Sequence, residues 1–262
     1  MKKKVLVTGA NGQLGMTFRE LFDNSERFDF SFVSRSELNI ADPKKLQSLF
    51  EKNKYDYCIN CAAYTNVEQA EKTPEIAYAI NSDAVKLLSE VCKDHDVILV
   101  HISTDYVFDG QKKQPYDVTD LPNPINEYGR SKLMGERYIQ DLLDHYYIIR
   151  TSWLYSKSVG KNFYRTILQK IERREDLKIT DAQLGCPTDC VNLANYIVNR
   201  ILKQAPPFGV FHYCDDQPMT WFDFAKAIVE EHKAEDRVNL IPSNDYVTLA
   251  ERPPYSVLKT TK

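Results

Sequence analysis

The chain has no apolar run that approaches transmembrane length, so no membrane-spanning segment is expected. It has no basic excess either. The formal net charge is -3 and the pI about 6.0, and no basic cluster interleaves with aromatic residues. Such a surface has no long-range attraction for phosphate backbones, which argues against nucleic acid as a partner. No internal repeat or low-complexity tract interrupts the 262 residues. Hydrophobic residues at 43% and charged residues at 27% exclude a disordered or fibrous chain. A secretory leader is not expected, because the apolar run after Met1-Lys-Lys-Lys4 is only Val5-Leu-Val7. The default is then a soluble cytoplasmic protein, with its six cysteines reduced. Cys58-Ile-Asn-Cys61 has a metal-like spacing, but no second pair and no nearby histidine completes four ligands, so no metal site is expected.

What the chain does contain is alternating strand and helix patterns. Lys4 to Thr8 reads as a buried strand, followed by a helical stripe of Leu14, Phe18, Leu21 and Phe22. Phe28 to Ser34 reads as a strand, Pro43 to Glu51 as a helix with Asp42 as its N-cap, and Tyr57 to Cys61 as a third strand. A long helix is expected over Pro74 to Lys93, with Ile76, Ile80, Ala84, Leu87, Leu88 and Val91 inward. Val97 to Ser103 is a continuous apolar strand, Glu127 to Leu143 a helix and Tyr146 to Thr151 a strand. Beyond Trp153 the alternation weakens: helices near Asn162–Arg173, Val191–Lys203 and Trp221–His232 are separated by short strands near Lys178, Val210 and Val238. The expected fold is α/β, a Rossmann-type doubly wound parallel sheet with a smaller C-terminal α/β substrate lobe. Residues 1–152 would form the main domain, with its doubly wound sheet, and 153–262 mainly the substrate-binding lobe.

Two segments carry chemistry. Gly9-Ala10-Asn11-Gly12-Gln13-Leu14-Gly15 directly follows the first strand. Glycines there let the backbone approach a pyrophosphate, while the helix beyond offers unpaired N–H groups and a positive dipole end. The spacing is GxxGxxG, which meets the GxGxxG fingerprint only in part, and an ordinary strand-to-helix turn is the bland alternative. At the end of the second strand, where an acidic residue would accept from a ribose 2′-hydroxyl, stands Ser34-Arg35-Ser36. An arginine with neighbouring hydroxyls favours NADP(H), with NAD(H) left open, because Arg35 is equally readable as a solvated charge. Downstream, Tyr128 and Lys132 lie four residues apart and would share a helix face, where the ammonium could lower the phenol's pKa and touch a ribose. YxxxK occurs often by chance. Its weight comes from Ser103-Thr104-Asp105-Tyr106, whose hydroxyls would emerge at the carboxyl edge of the sheet.

Taken in order, GANGQLG (9–15), SELNIAD (36–42), NCAAYTNVEQAE (60–71), STDYVFDG (103–110), YGRSK (128–132), RTSWLY (150–155), DAQLGCPT (181–188) and Arg252-Pro-Pro-Tyr-Ser256 span nearly the whole chain. In this the sequence resembles the dTDP-4-dehydrorhamnose reductase group of the extended short-chain dehydrogenase/reductases. The resemblance implies reduction of the C4 ketone of a nucleotide-linked 4-keto-6-deoxy sugar by NADPH, with Tyr128 as acid. Lys132 would orient the ribose and tune Tyr128, and Thr104 would bond the same oxygen. Asp105, Tyr106 and Trp153 would contact substrate. Gly12, Gln13 and Leu14 would meet the pyrophosphate, Asn39 and Ile40 the adenine side, and Ala62, Ala63 and Tyr64 the cofactor beyond the third strand. Asn39 departs from the aspartate common in the group, and the end of the chain looks shortened relative to it. Three alternatives remain open. One is an assembly role like that of the regulatory subunit of methionine adenosyltransferase, which resembles the same reductases. The others are reduction and epimerisation of another nucleotide sugar. Homodimerisation is also left open.

Overall fold

A computed structural model, describing residues 2–245 and 247–261, shows why the strand pattern is almost continuously apolar. The elements run β1 (Lys3–Thr8), α1 (Gln13–Phe22), β2 (Phe28–Val33), α2 (Pro43–Lys52), β3 (Tyr57–Asn60), α3 (Val67–Lys72), α4 (Pro74–Tyr78), α5 (Ala84–Asp94), β4 (Ile98–Thr104), α6 (Glu127–Leu142) and β5 (Tyr146–Thr151). Then follow β6 (Leu154–Tyr155), α7 (Phe163–Glu172), β7 (Leu177–Ile179), β8 (Leu184–Gly185), β9 (Thr188–Asp189), α8 (Cys190–Tyr196), β10 (Gly209–His212), β11 (Met219–Thr220), α9 (Trp221–Glu231) and β12 (Leu240–Pro242).

Six strands pair in the order β10-β5-β4-β3-β1-β2, all parallel. Val5 and Val7 face one side, where they pack with Leu14 and Phe18 of α1 and Leu193 of α8. Leu6, Cys58 and Leu99 face the other, against Leu46 and Phe50 of α2, Leu88 and Val91 of α5, and Ile139 of α6. Helices on both faces leave no strand face for water, so both alternating sets of residues are apolar. Because β1 is flanked by β2 on one side and β3 on the other, the winding reverses there. A crevice then opens beyond the carboxyl ends of β1 and β3.

Local chemistry sets several boundaries as the sequence implies. Asp42 caps α2, its Oδ1 accepting from the N–H groups of Lys44 and Lys45 at 3.1 Å. Asn126 caps α6 through the Gly129 N–H at 2.8 Å, which fixes Tyr128 in the first turn. The expected unbroken helix over Pro74–Lys93 is a correction. Residues Ala79–Asp83 form a wide π turn between α4 and α5, closed by Ala84 N–H to Ala79 O. The additional residue shifts the helical phase by roughly 100°. Ile76, expected inward, therefore sits 45% exposed.

The division at 152/153 is also less clean than the sequence suggests. Helix α8 and strand β10 come from the later half, yet β10 completes the large sheet beside β5 and α8 covers its first face. The lobe proper is smaller. Its core is Tyr164, Ile167 and Ile171 of α7 against Phe224 and Ile228 of α9, edged by the pairs β7–β12 and β8–β11. The strand expected near Val238 begins two residues later, at Leu240, and Val238 itself is buried in the lobe core. Residues 252–258 run back as a strap: Tyr116 N–H bonds Val257 O at 2.8 Å, and Ser256 N–H bonds Leu184 O at 2.8 Å.

Candidate active site

At the reversal point a cleft of about 540 Å³ runs between the sheet edge and the lobe, and a second pocket of about 190 Å³ adjoins it through Gly12, Cys61 and Ala63. The larger space is lined by Asn11, Gly12, Gln13, Leu14, Thr104, Asp105, Tyr106, Tyr128, Lys132 and Trp153, all of them residues singled out from sequence. Gly9, Arg35, Asn39, Ile40, Ala62, Ala63 and Tyr64 line the smaller one. Of the predicted set, Gly15 lines neither.

The turn after β1 fits a dinucleotide. Gly9 has φ +65°, and a Cβ there would stand 2.7 Å from the Ala62 backbone nitrogen, so both its conformation and its surroundings demand glycine. A Cβ at Gly15 would meet Gly9 O at 2.5 Å, so its absence lets α1 pack against the turn. Gly12 caps α1 without any side-chain bond to the helix N–H groups, and no acidic residue occupies the first turn. Those amides and the positive helix end therefore face the cleft available for an anion.

At the far end of the smaller pocket, Arg35 is exposed, whereas the hydroxyl and the N–H of Ser34 both bond Glu37 Oε2, at 2.6 and 2.7 Å. Of the two hydroxyls beside Arg35, that of Ser34 is thus already engaged. Ser34 spends its donors on Glu37, whose carboxyl is held below its usual range by them. Asn39 Oδ1 accepts from Ala41 N–H at 3.2 Å, a local turn bond that an amide makes as well as a carboxylate. Asn81, in the wide π turn, was not singled out from sequence. Its side chain bonds Tyr64 N and Tyr64 O at 2.9 Å each and Ser131 Oγ at 3.0 Å, and so pins the wall of the smaller pocket to α6.

Tyr128 sits in the first turn of α6 with its ring edge-on to Tyr106, centroids 5.9 Å apart. Burial pushes its phenol above the usual tyrosine range. The neighbouring Thr104 hydroxyl opposes this, and Asp105 and Tyr106 add to it. Burial, and not the lowering expected from Lys132, sets the direction of this shift. Lys132 Nζ bonds Ile102 O at 2.7 Å and lies 3.0 Å from His101 Nε2. Burial lowers Lys132 itself to about 8, against the pull of Glu136 and Cys61. Thr104 Oγ1 accepts from Tyr106 N–H and donates to Asp105 Oδ1, both at 3.1 Å. Asp105 is 2% exposed, and burial pushes its carboxyl up to about 6, with the Ser256, Thr104 and Ser152 hydroxyls pulling the other way. Thr151 Oγ1, on the same wall, is buried without a hydrogen-bond partner among the described residues.

The lobe closes the other side. Trp153 has φ +46° and stacks on Trp221 with centroids 3.6 Å apart and planes 6° from parallel. Gly185 lies beneath its indole, where a Cβ would approach to 2.6 Å. Trp221 also lines the cleft, although the sequence marked it only as the start of a helix. Gln13 ties the phosphate turn to the lobe, donating to Leu154 O at 2.9 Å and accepting from Asn162 Nδ2 at 3.1 Å. Arg252 supports the wall from the strap, bonding Tyr106 OH at 3.2 Å and Glu68 Oε1 at 2.5 Å.

Comparison with known proteins agrees with this geometry. The family described as "RmlD substrate binding domain" matches residues 2–262. A dTDP-4-dehydrorhamnose reductase of Aggregatibacter actinomycetemcomitans is 36% identical over 269 residues, covering 99% of this chain and 91% of the relative. The chain belongs to the dTDP-4-dehydrorhamnose reductase family. Within that family, the structure of the Bacillus anthracis str. Ames reductase in complex with NADP superposes with a TM-score of 0.94 at 35% identity, covering 100% of this chain and 92% of that one. A Streptomyces niveus protein named dTDP-4-keto-6-deoxy-D-glucose reductase is also 36% identical, over 98% of this chain and 89% of its own length. The family fold is thus a Rossmann-like parallel α/β sheet.

Proposed function

We propose that this chain reduces the C4 ketone of dTDP-4-dehydro-L-rhamnose with NADPH, giving dTDP-L-rhamnose. The observation that carries the reading is the convergence of Thr104, Tyr128 and Lys132 on one cleft that also meets the glycine turn and the uncapped helix end. Residues 1–152, completed by α8 and β10, hold the cofactor, and the lobe holds the nucleotide sugar.

A bound nicotinamide supplies hydride to the ketone carbon. Tyr128 delivers its phenolic proton to the C4 oxygen as negative charge develops there, a role served by a phenol kept protonated by burial. Thr104 turns its hydroxyl proton from Asp105 toward the same oxygen and stabilises it. Lys132 orients the ribose. The amides at the start of α1 take the pyrophosphate, Arg35 takes the 2′-phosphate, and Asn39, Ile40, Ala62, Ala63 and Tyr64 flank the adenosine side. Asp105, Tyr106 and Trp153 position the sugar nucleotide, with Trp221 backing the indole.

Because two relatives of equal identity carry names with different keto sugars, the test is a panel. NADPH absorbance is followed with dTDP-4-dehydro-L-rhamnose, dTDP-4-keto-6-deoxy-D-glucose and a UDP-linked analogue. Turnover of the first at the highest kcat/KM supports the reading. Preference for the second moves this chain to the other stereochemical series, and no turnover with any of them ends the reductase assignment.

A further inference from the structure

At the carboxyl ends of β4 and β5, Ser103 stands in register with Arg150, and Thr104 with Thr151. Most of the polar side chains there are engaged. Ser103 and Arg150 both bond the Glu136 carboxylate, and Ser152, the next residue along, accepts from Cys186 N–H at 3.2 Å. Thr104 bonds Asp105 and Tyr106 N–H. Thr151 differs from these: the residue is only 6% exposed, and its Oγ1 is buried with no hydrogen-bond partner among the described residues. A hydroxyl left in that state costs the folded protein stability. The residue also lines the cleft, on the same wall as Thr104. A turn about χ1 exchanges hydroxyl and methyl group without changing the volume filled, so the oxygen can be presented to a ligand that reaches this wall.

We propose that the Thr151 hydroxyl binds the carboxamide of the nicotinamide ring and so fixes which way that ring is turned in the cleft. The order of the strands supports this. Starting from the smaller pocket, the carboxyl ends run β2, β1, β3, β4, β5, and carry in turn Arg35, the glycine turn, Ala62 with Ala63, Thr104 and Thr151. A dinucleotide laid along that edge with its pyrophosphate on the α1 amides sends its adenosine toward β2 and its nicotinamide toward β4 and β5. Neighbouring strands lie about 4.8 Å apart. With the ketone oxygen at Thr104, the reacting ring carbon is beside β4, and the carboxamide on the adjacent ring carbon comes within reach of β5. The ketone oxygen already has Thr104 and Tyr128, so it does not need a third donor. A primary carboxamide offers one acceptor and two donors, and a hydroxyl pairs with either. This use of Thr151 rests on the reductase reading above, which sets how the cofactor lies.

The test is binding to the full chain, with no turnover required. Thr151→Val keeps the shape of the side chain and removes its hydroxyl. NADPH is titrated beside adenosine 2′,5′-bisphosphate, which keeps the 2′-phosphate end of the cofactor and lacks the nicotinamide. Loss of one neutral hydrogen bond should weaken NADPH by roughly 2- to 12-fold and leave adenosine 2′,5′-bisphosphate within about twofold of the parent. Thr151→Ser, which keeps the hydroxyl, should hold NADPH within about twofold as well. The apo Thr151→Val protein should melt at or above the parental temperature, because it loses no bond. Equal weakening of both ligands, or weakening of neither, refutes the proposal. So does a fall of several degrees in apo melting, which would mark the hydroxyl as a structural partner. Weaker binding of dTDP-L-rhamnose with NADPH unchanged also refutes it, since the hydroxyl then serves the sugar. Thr151→Ala removes the same hydroxyl and repeats the ligand comparison if the valine variant does not fold. The expected pattern in a protein that reduces no sugar counts against the reaction alone. Sugar reduction by the parent, with NADPH affinity unmoved in Thr151→Val, counts against Thr151 alone.

Discussion

The Gly15→Ala substitution tests whether the turn after β1 is built for close approach. Its new methyl would sit 2.5 Å from Gly9 O and 2.7 Å from Ala10 Cα, and both neighbours are backbone atoms that cannot rotate away. Reaching the 3.4 Å of ordinary contact requires the turn and α1 to separate by about 0.9 Å. Overpacking of that kind costs about 1–3 kcal/mol, and the gain in helix propensity returns only about 1 kcal/mol. The same displacement moves the α1 amides away from a pyrophosphate. Losing one charge-assisted bond of about 1.5–3 kcal/mol weakens affinity by roughly 10- to 150-fold. Gly12→Ala is the control: its Cβ meets Gly9 O at 3.2 Å, a clash of a few tenths of an ångström, but it projects into the pocket. NADPH titration and thermal melting of the apo proteins are therefore expected to separate the two. Gly15→Ala loses both affinity and melting temperature, and Gly12→Ala loses chiefly affinity. A Gly15→Ala protein that melts and binds NADPH like the parent would refute the close-approach argument.

Asp105, with its pKa raised to about 6, binds its proton more tightly folded than unfolded, so its effect on stability is adverse above that pH and disappears below about 4. Asp105→Asn should raise stability at pH 8 by at most about 3 kcal/mol, leave it unchanged near pH 4, and lower kcat/KM. Equal melting shifts at both pH values would contradict the assignment. Glu136, fully buried, bonds Arg150 Nη2 at 2.7 Å and accepts from Ser103, so Glu136→Gln leaves an arginine buried and uncompensated. The expected loss is about 3–5 kcal/mol, a fall in melting temperature on the order of 10 °C, and a shift of only 1–2 °C would count against it. Arg35→Ala should cut the preference for NADPH over NADH by roughly 5- to 30-fold, as for one exposed charge-assisted contact of about 1–2 kcal/mol. An unchanged ratio of dissociation constants would reassign Arg35 as a solvated surface charge.

Much of the cofactor side was legible because its signals are local. The strand before Gly9, the Asp42 cap and the four-residue step from Tyr128 to Lys132 depend on near neighbours in sequence, and the structure places each where spacing implied. What escaped depends on contacts between distant segments. The π turn at Ala79–Asp83 is invisible to a 3.6-residue period, yet it delivers Asn81 to Tyr64 and Ser131. Strand β10 looks like any short strand until its pairing with β5 returns it to the main sheet. Trp221 reads as a helix start, and only the fold lays it on Trp153. Pairwise spacing suggested that Lys132 would act directly on the Tyr128 phenol. In three dimensions its nitrogen bonds the Ile102 carbonyl and lies beside His101, and burial sets the direction of the phenol's shift.

The most direct measurement compares Tyr128→Phe with the parent, pairing single-turnover reduction of dTDP-4-dehydro-L-rhamnose with NADPH titration. Removing a general acid while keeping the ring should slow the chemical step by about 10²- to 10⁴-fold and leave the NADPH dissociation constant within about threefold. Reduction at the parental rate with the phenol gone would contradict the account at its centre.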